Sequence, residues 1–197
     1  MSESMKSTLD LRMTVCCALF TALIIIGGYI SIPIPIGPVP IALADFFVML
    51  AGLFLGAKYG LACTVLYLVL GALGLPVFAG GSAGLAILFG PTGGFLFGYL
   101  LTAASSGAIV GKKPNSPHAA IRILAALLVG NILLYTVGVP WLKIQMGLSW
   151  PAALAGGLTP FIPGIVIKIA AAVTIARLFL PRFQQTMYAA QESRMER

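Results

Sequence analysis

Residues 59–111 read YGLACTVLYLVLGALGLPVFAGGSAGLAILFGPTGGFLFGYLLTAASSGAIVG, a stretch without Asp, Glu, Lys, Arg or His. A helix that crosses a membrane needs about 20 predominantly apolar residues, so this run holds two. Its helix breakers say where they lie: one span at about 59–73, a second at about 92–110. Between them stand Gly74-Leu75-Pro76-Val77-Phe78-Ala79-Gly80-Gly81-Ser82-Ala83-Gly84 and Gly90-Pro91-Thr92-Gly93-Gly94. That connection is apolar yet too rich in Gly and Pro to be helical. Irregular backbone survives at membrane depth only where protein covers it or where it lines a cavity. The segment is therefore a candidate lid.

Working outward, the same reading yields six spans. Upstream, residues 13–32 are uncharged and form the first span. They end in a run of prolines, Pro33, Pro35, Pro38 and Pro40, which favours an extended loop. Residues 41–57 give the second span, interrupted by Asp45, with Lys58 at the turn. Downstream, Lys112 to His118 form a polar loop, in which His118 is expected to be solvated, and 119–138 give the fifth span. Residues 139–159 connect it to the sixth span, at 160–180, through a short interfacial segment anchored by Trp141 and Trp150. The expected organisation is a short polar cytoplasmic lead at 1–12, a six-helix membrane domain at 13–181 and a cytoplasmic polar tail at 182–197. The first apolar run lacks a small-residue cleavage site and reads as a span rather than a signal peptide. The fold class is an all-α integral membrane bundle.

Composition agrees. Hydrophobic residues make up 59% of the chain, charged residues 9%, and mean hydropathy is +1.03. Soluble domains carry about 25% charged residues, and 9% cannot build a surface that faces water. The net charge of +7 does not indicate nucleic acid, because the bases are scattered between apolar runs. Lys6, Arg12, Lys58, Lys112, Lys113, Arg122, Arg177 and Arg182 all fall on one face of the six-span arrangement. On the other face, loops 33–40 and 74–91 hold no base and 139–159 holds Lys143 alone. The positive-inside rule then places both termini in the cytoplasm. Cys16, Cys17 and Cys63 lie within apolar runs, without metal spacing, and are expected to pack in the core.

Two ionisable residues, Asp45 and Lys168, interrupt apolar spans, at a cost of about 2.5–3.5 kcal/mol each at a helix centre. They are candidates for a ligand or coupling-ion site; a structural Asp45–Lys168 ion pair, or snorkelling, is the alternative. Asn131 and Tyr135 share a helix face, where an amide often just bonds a neighbouring helix. Thr92 either caps the fourth span or touches ligand; the amides of that helix start form a partly positive terminus suited to a carboxylate. Ala18 and Ala22 form a small-xxx-small pair, which permits close helix approach. No metal-ligand cluster, Walker sequence, nucleophile elbow or dinucleotide turn is present. An enzyme would need a reactive pair and a channel rings of polar residues, so both are distant alternatives.

The order of motifs resembles the BioY family, biotin-binding S-components of energy-coupling factor (ECF) transporters. The matching pieces are Ile36-Gly37-Pro38-Val39-Pro40-Ile41, Gly74-Leu75-Pro76-Val77-Phe78-Ala79-Gly80-Gly81, Phe89-Gly90-Pro91-Thr92-Gly93-Gly94-Phe95, Gly138-Val139-Pro140-Trp141-Leu142 and Pro160-Phe161-Ile162-Pro163-Gly164. They occur in family order over about 13–180. The resemblance implies a six-helix S-component bundle in a prokaryotic cell membrane, with a biotin pocket near the outer face and a lid between the third and fourth spans. It also implies that Ala18 and Ala22 dock on a transmembrane coupling subunit served by two separate ATPases, with no cofactor. On this reading Lys168 contacts the polar end of the ligand, aided by Asp45 and Asn131. Phe95 and Trp141 pack its apolar body, and Ser82 and Thr92 supply hydrogen bonds. Two departures stand out: Ile165 occupies a place usually held by Asp, and Ala44-Asp45 replaces a common Gln-Thr. Asp45 then either compensates for the lost acid or alters ligand choice toward a related carboxylate such as lipoate.

Overall fold

A chain without water to satisfy its backbone must pair its own N–H and C=O groups, and helices do so within each segment. The computed structural model describes residues 2–34, 37–111 and 119–192, with side chains between 11 and 187. His118, Lys112 and Lys113, like Pro35 and Ile36, lie outside the described residues. The elements are α1 (Ser2–Tyr29), β1 (Ser31–Ile32), β2 (Ile41–Ala42), α2 (Ala44–Ala72), α3 (Leu85–Leu88), α4 (Gly93–Val110), α5 (Ala119–Met146), α6 (Trp150–Gly157) and α7 (Ile162–Glu192). Single 3-10 turns occupy Ala79–Gly81 and Thr159–Phe161.

Five helical runs are long and apolar enough to cross a membrane. The second of them, α2, is two helices. At Gly56 the backbone adopts φ 76° and ψ 175°, a conformation open to glycine and strained for other residues. The chain then doubles back so tightly that a Cβ on Gly60 would meet the Gly52 Cα at 2.8 Å. Limbs 44–55 and 57–72 are thus separate spans, and the bundle has the six helices read from the sequence.

The first limb covers about 18 Å at 1.5 Å per residue, against about 30 Å of hydrocarbon. The remaining depth is filled by a small hairpin in which Ser31 pairs with Ala42 and Ile32 with Ile41. The Leu43 amide ties this hairpin to α1, donating to the carbonyls of Gly27 (2.9 Å) and Ile30 (3.1 Å). Irregular backbone is here folded into protein, as membrane depth requires.

Several boundaries differ from the sequence reading. The first span ends at Tyr29 instead of Ile32, and Ile41–Ala42, assigned to the second span, is a strand. The polar lead is helical from Ser2. Two prolines read as stops do not stop their helices: α5 runs through Pro140 to Met146, and α7 through Pro181 to Glu192. Beyond Pro140, Leu142 is fully buried and packs at the place where a Gly157 side chain would stand. Such packing outweighs one lost backbone bond in a membrane helix. The expected interfacial segment contains helix α6, and its N-cap Ser149 accepts from the Ala152 amide.

The helices pack through small and hydroxylated residues, as expected where lipid offers no hydrophobic drive. The Thr102 hydroxyl on α4 donates to the Gly130 carbonyl of α5 (2.9 Å), and Ser106 to that of Ala126 (3.3 Å). Thr21 on α1 donates to the Cys63 carbonyl of α2 (3.2 Å). Cys17 and Cys63 are buried free thiols packed face to face, and Cys16 is a half-buried free thiol. One end of the bundle holds Lys58, beside the Gly56 reversal, and Arg122, whose guanidinium donates to the carbonyls of Val110 and Ile109. The Gln184 amide reaches the Gly111 carbonyl there at 3.5 Å. The opposite end holds the hairpin and the candidate lid.

Candidate functional site

At the hairpin end, three adjoining cavities lead inward. The outermost, about 460 Å³, lies between Tyr29, Ser31 and the proline loop on one side and Ala79-Gly80 on the other. The middle one, about 220 Å³, is walled by Pro38, Val39, Pro40 and Ala42, by Phe78, Ala79, Ser82 and Ile87 of the lid, and by Thr92, Phe95, Leu96 and Tyr99 of α4. The innermost, about 40 Å³, shares Val39, Pro40, Ala42, Phe95 and Tyr99 and ends on Asp45, Tyr135, Phe161 and Lys168. The walls are mostly apolar, and the two charges stand at the bottom.

The charged floor follows from the short first limb of α2. Asp45 lies in the first turn of α2, where the partly positive helix terminus favours a carboxylate. Lys168 reaches across from α7 and donates to Asp45 Oδ1 (2.7 Å) and to the Ala42 carbonyl (2.6 Å). The two side chains are 9% and 11% exposed. An ammonium has three N–H donors, and among the described residues two are engaged, which leaves one for a ligand. The pair is the ion pair anticipated from the sequence, and it lines the cavity.

Three anchors hold the lid. Phe78 inserts into a notch above Gly71, where any Cβ would fall within 2.0 Å of its ring, and packs edge-on against Tyr67 at 5.4 Å. The Tyr29 hydroxyl donates to the Pro76 carbonyl. Trp141 Nε1 donates to the Gly90 carbonyl at 2.9 Å.

The structure brings together Lys168, Asp45, Ser82, Thr92 and Phe95 around the connected cavities. Ser82 bonds the Ala79 carbonyl at 2.9 Å, and the Thr92 hydroxyl makes no capping bond to α4. Trp141 stands behind the wall as a latch on the lid, packed against Gly94 and Phe97, and is not among the residues that line the connected cavities. Asn131 is buried on α5, away from the cavity. Its amide nitrogen donates to the Leu127 carbonyl (2.9 Å) and Met49 Sδ (3.1 Å). Ile165, one turn before Lys168 on α7, is half-buried against the core and also lines an outer groove, without lining the connected cavities. Ala18 and Ala22 are exposed on α1, on the face opposite buried Cys17, Thr21 and Ile24. The sequence reading missed Tyr99 and Tyr135 as lining residues. The signal for Tyr99 was its place one turn after Phe95.

Among the described residues no three His, Cys, Asp or Glu side chains gather into a metal-sized cluster. The arrangement suits tight, non-covalent capture of a small molecule with an apolar body and a group that takes a hydrogen bond from an ammonium.

Comparison with known proteins agrees with this geometry. The model of the BioY family matches residues 2–185. The chain is 40% identical over 166 residues to the biotin transporter BioY of Thermotoga maritima, covering 84% of this chain and 94% of that protein. It is 42% identical to a probable biotin transporter BioY of Pyrococcus horikoshii, covering 81% and 90%. A crystal structure of the S-component for biotin from an ECF-type ABC transporter superposes with a TM-score of 0.79 at 36% identity, covering 90% of this chain and 93% of that one. The chain belongs to the BioY family.

Proposed function

We propose that this chain is the substrate-binding membrane subunit of an ATP-driven ECF-type importer and that its substrate is biotin. The observation that carries the reading is the stepped cavity, apolar along its walls, closed by an anchored lid, and floored by Lys168 with a spare donor. Biotin's ring system suits the walls between Phe95, Tyr99 and Val39, and its ureido or carboxylate oxygens suit the ammonium. The names of the relatives and of the structural match point to the same ligand. Lipoate shares an acid tail but carries an apolar dithiolane head, with less use for Asp45.

In this reading the exposed α1 face around Ala18 and Ala22 docks on a transmembrane coupling subunit, and two separate ATPases supply the energy. The chain sits in the cell membrane. The gathering of Lys58, Arg122 and the C-terminal residues at one end supports cytoplasmic termini.

One preparation tests these points. Mass spectrometry of gently extracted protein should find biotin bound, displaced by added biotin at far lower concentration than by lipoate. Ala18→Trp with Ala22→Trp should keep bound biotin and lose the coupling subunit. Cysteines placed in 143–157 should label from outside, and those at 112–113 should not. A preference for lipoate would overturn the ligand assignment and leave the transporter reading standing.

A further inference from the structure

A groove of about 570 Å³ runs between α5, α6 and α7 on the outside of the bundle. Its α5 wall repeats every fourth residue, Leu128, Ile132, Thr136 and Pro140, a strip of about 18 Å at 1.5 Å per residue. That length is close to half of a bilayer's hydrocarbon, about 15 Å, so the groove matches the depth of one leaflet. Its open side is lipid-facing, with Ile132 and Val166 each 63% exposed. The amide nitrogen of Asn131 turns from it toward Met49 in the core.

A charge stands at the mouth. Lys143, one turn past Pro140, lies with Nζ 5.2 Å from the ring centroid of Trp150, which itself lines the groove. It is the one Lys or Arg between Arg122 and Lys168. The chain has five acids, Glu3, Asp10, Asp45, Glu192 and Glu196. Among the described side chains Asp45 is the one carboxylate, and it is committed to Lys168. No described carboxylate is left over to pair with Lys143, so an anionic group of another molecule has a cation open to it there.

We propose that this groove is a binding site for one anionic phospholipid of the leaflet on the hairpin side. The phosphate sits on Lys143, the Trp150 ring lies at the level of the ester carbonyls, and one acyl chain fills the strip between α5 and α7. The site also touches the transport cavity, because Tyr135 lines both spaces. A chain in the groove backs the wall beside Lys168.

Native mass spectrometry of the full chain tests this, with phosphatidylglycerol and phosphatidylcholine of identical acyl chains as probes. The wild type should retain one phosphatidylglycerol, favoured about fivefold over phosphatidylcholine, as one cation at headgroup level provides. Lys143→Ala should erase the preference, Lys143→Arg should keep it, and Ile132→Trp should reduce retention of both lipids. Equal retention by the wild type, or a preference unchanged in Lys143→Ala, overturns the proposal. So does a dimer that excludes lipid, which would mean that a second copy covers the groove.

Discussion

At the basic end the chain turns on a single residue, Gly56, and from the middle of α4 toward that end the α4–α5 contact closes through hydroxyl-to-carbonyl bonds from Thr102 and Ser106. At the hairpin end it takes residues 73–92 to pass from α2 to α4, by way of a 3-10 turn and a four-residue helix. Both ends are built from Gly, Ala, Leu and Phe; what separates them is how backbone polarity is satisfied. Along the α4–α5 seam the backbone bonds are internal to each helix and the neighbours meet closely. Where helices stop short, as the first limb of α2 does, strands, turns and side-chain donors take over, and cavities open between them. The transport cavity opens where helices are too short to meet.

Removing the cation at the cavity floor should have the largest effect. Lys168→Ala leaves Asp45 buried and unpaired, a defect of about 3–5 kcal/mol, and should lower biotin affinity by about 2–5 kcal/mol in a ligand titration. Lys168→Met with Asp45→Asn removes the pair without orphaning a charge. If that double variant binds biotin normally, the pair is scaffold and the contrast between the ends loses its functional meaning.

Phe78→Ala empties the notch over Gly71 and should cost about 3 kcal/mol. Limited proteolysis should then cut within 73–92, with ligand affinity reduced and the α4–α5 contact intact. Thr102→Val should lower stability by about 0.6 kcal/mol, an average value for an interhelical hydrogen bond in a membrane, read as a small fall in melting temperature. Ligand affinity should not change. A loss of affinity in this variant would show that the two ends are coupled through α4.

Hydropathy made the six spans legible, because a run such as 59–111 has no soluble alternative, and even the doubling of α2 was readable from Lys58 within an apolar stretch. The Asp45–Lys168 pair was readable for a similar reason: two charges in apolar spans have few ways to be neutralised. The hairpin was not, since two-residue strands leave no periodic pattern. Pro140 and Pro181 misled because proline reports a local penalty, whereas the burial of Leu142 that overrides it is tertiary. The bond from Trp141 to the lid was not legible either, for nothing local says whether an indole faces lipid, ligand or a carbonyl such as that of Gly90. Tyr99 and Tyr135 became lining residues only when α4 and α5 were set against the proline loop.

The three polar contacts that close the hairpin end share a design: Tyr29, Trp141 and Lys168 each donate to a main-chain oxygen, of Pro76, Gly90 and Ala42 respectively. Every residue type carries that acceptor, so no substitution at those three positions can delete it. Closure by Tyr29 and Trp141 is thereby insulated from the side chains that face the substrate. Ser82, Ile87 and Thr92 line the cavity without supplying those acceptors, so replacing them to suit another cargo leaves the door's latch its partners.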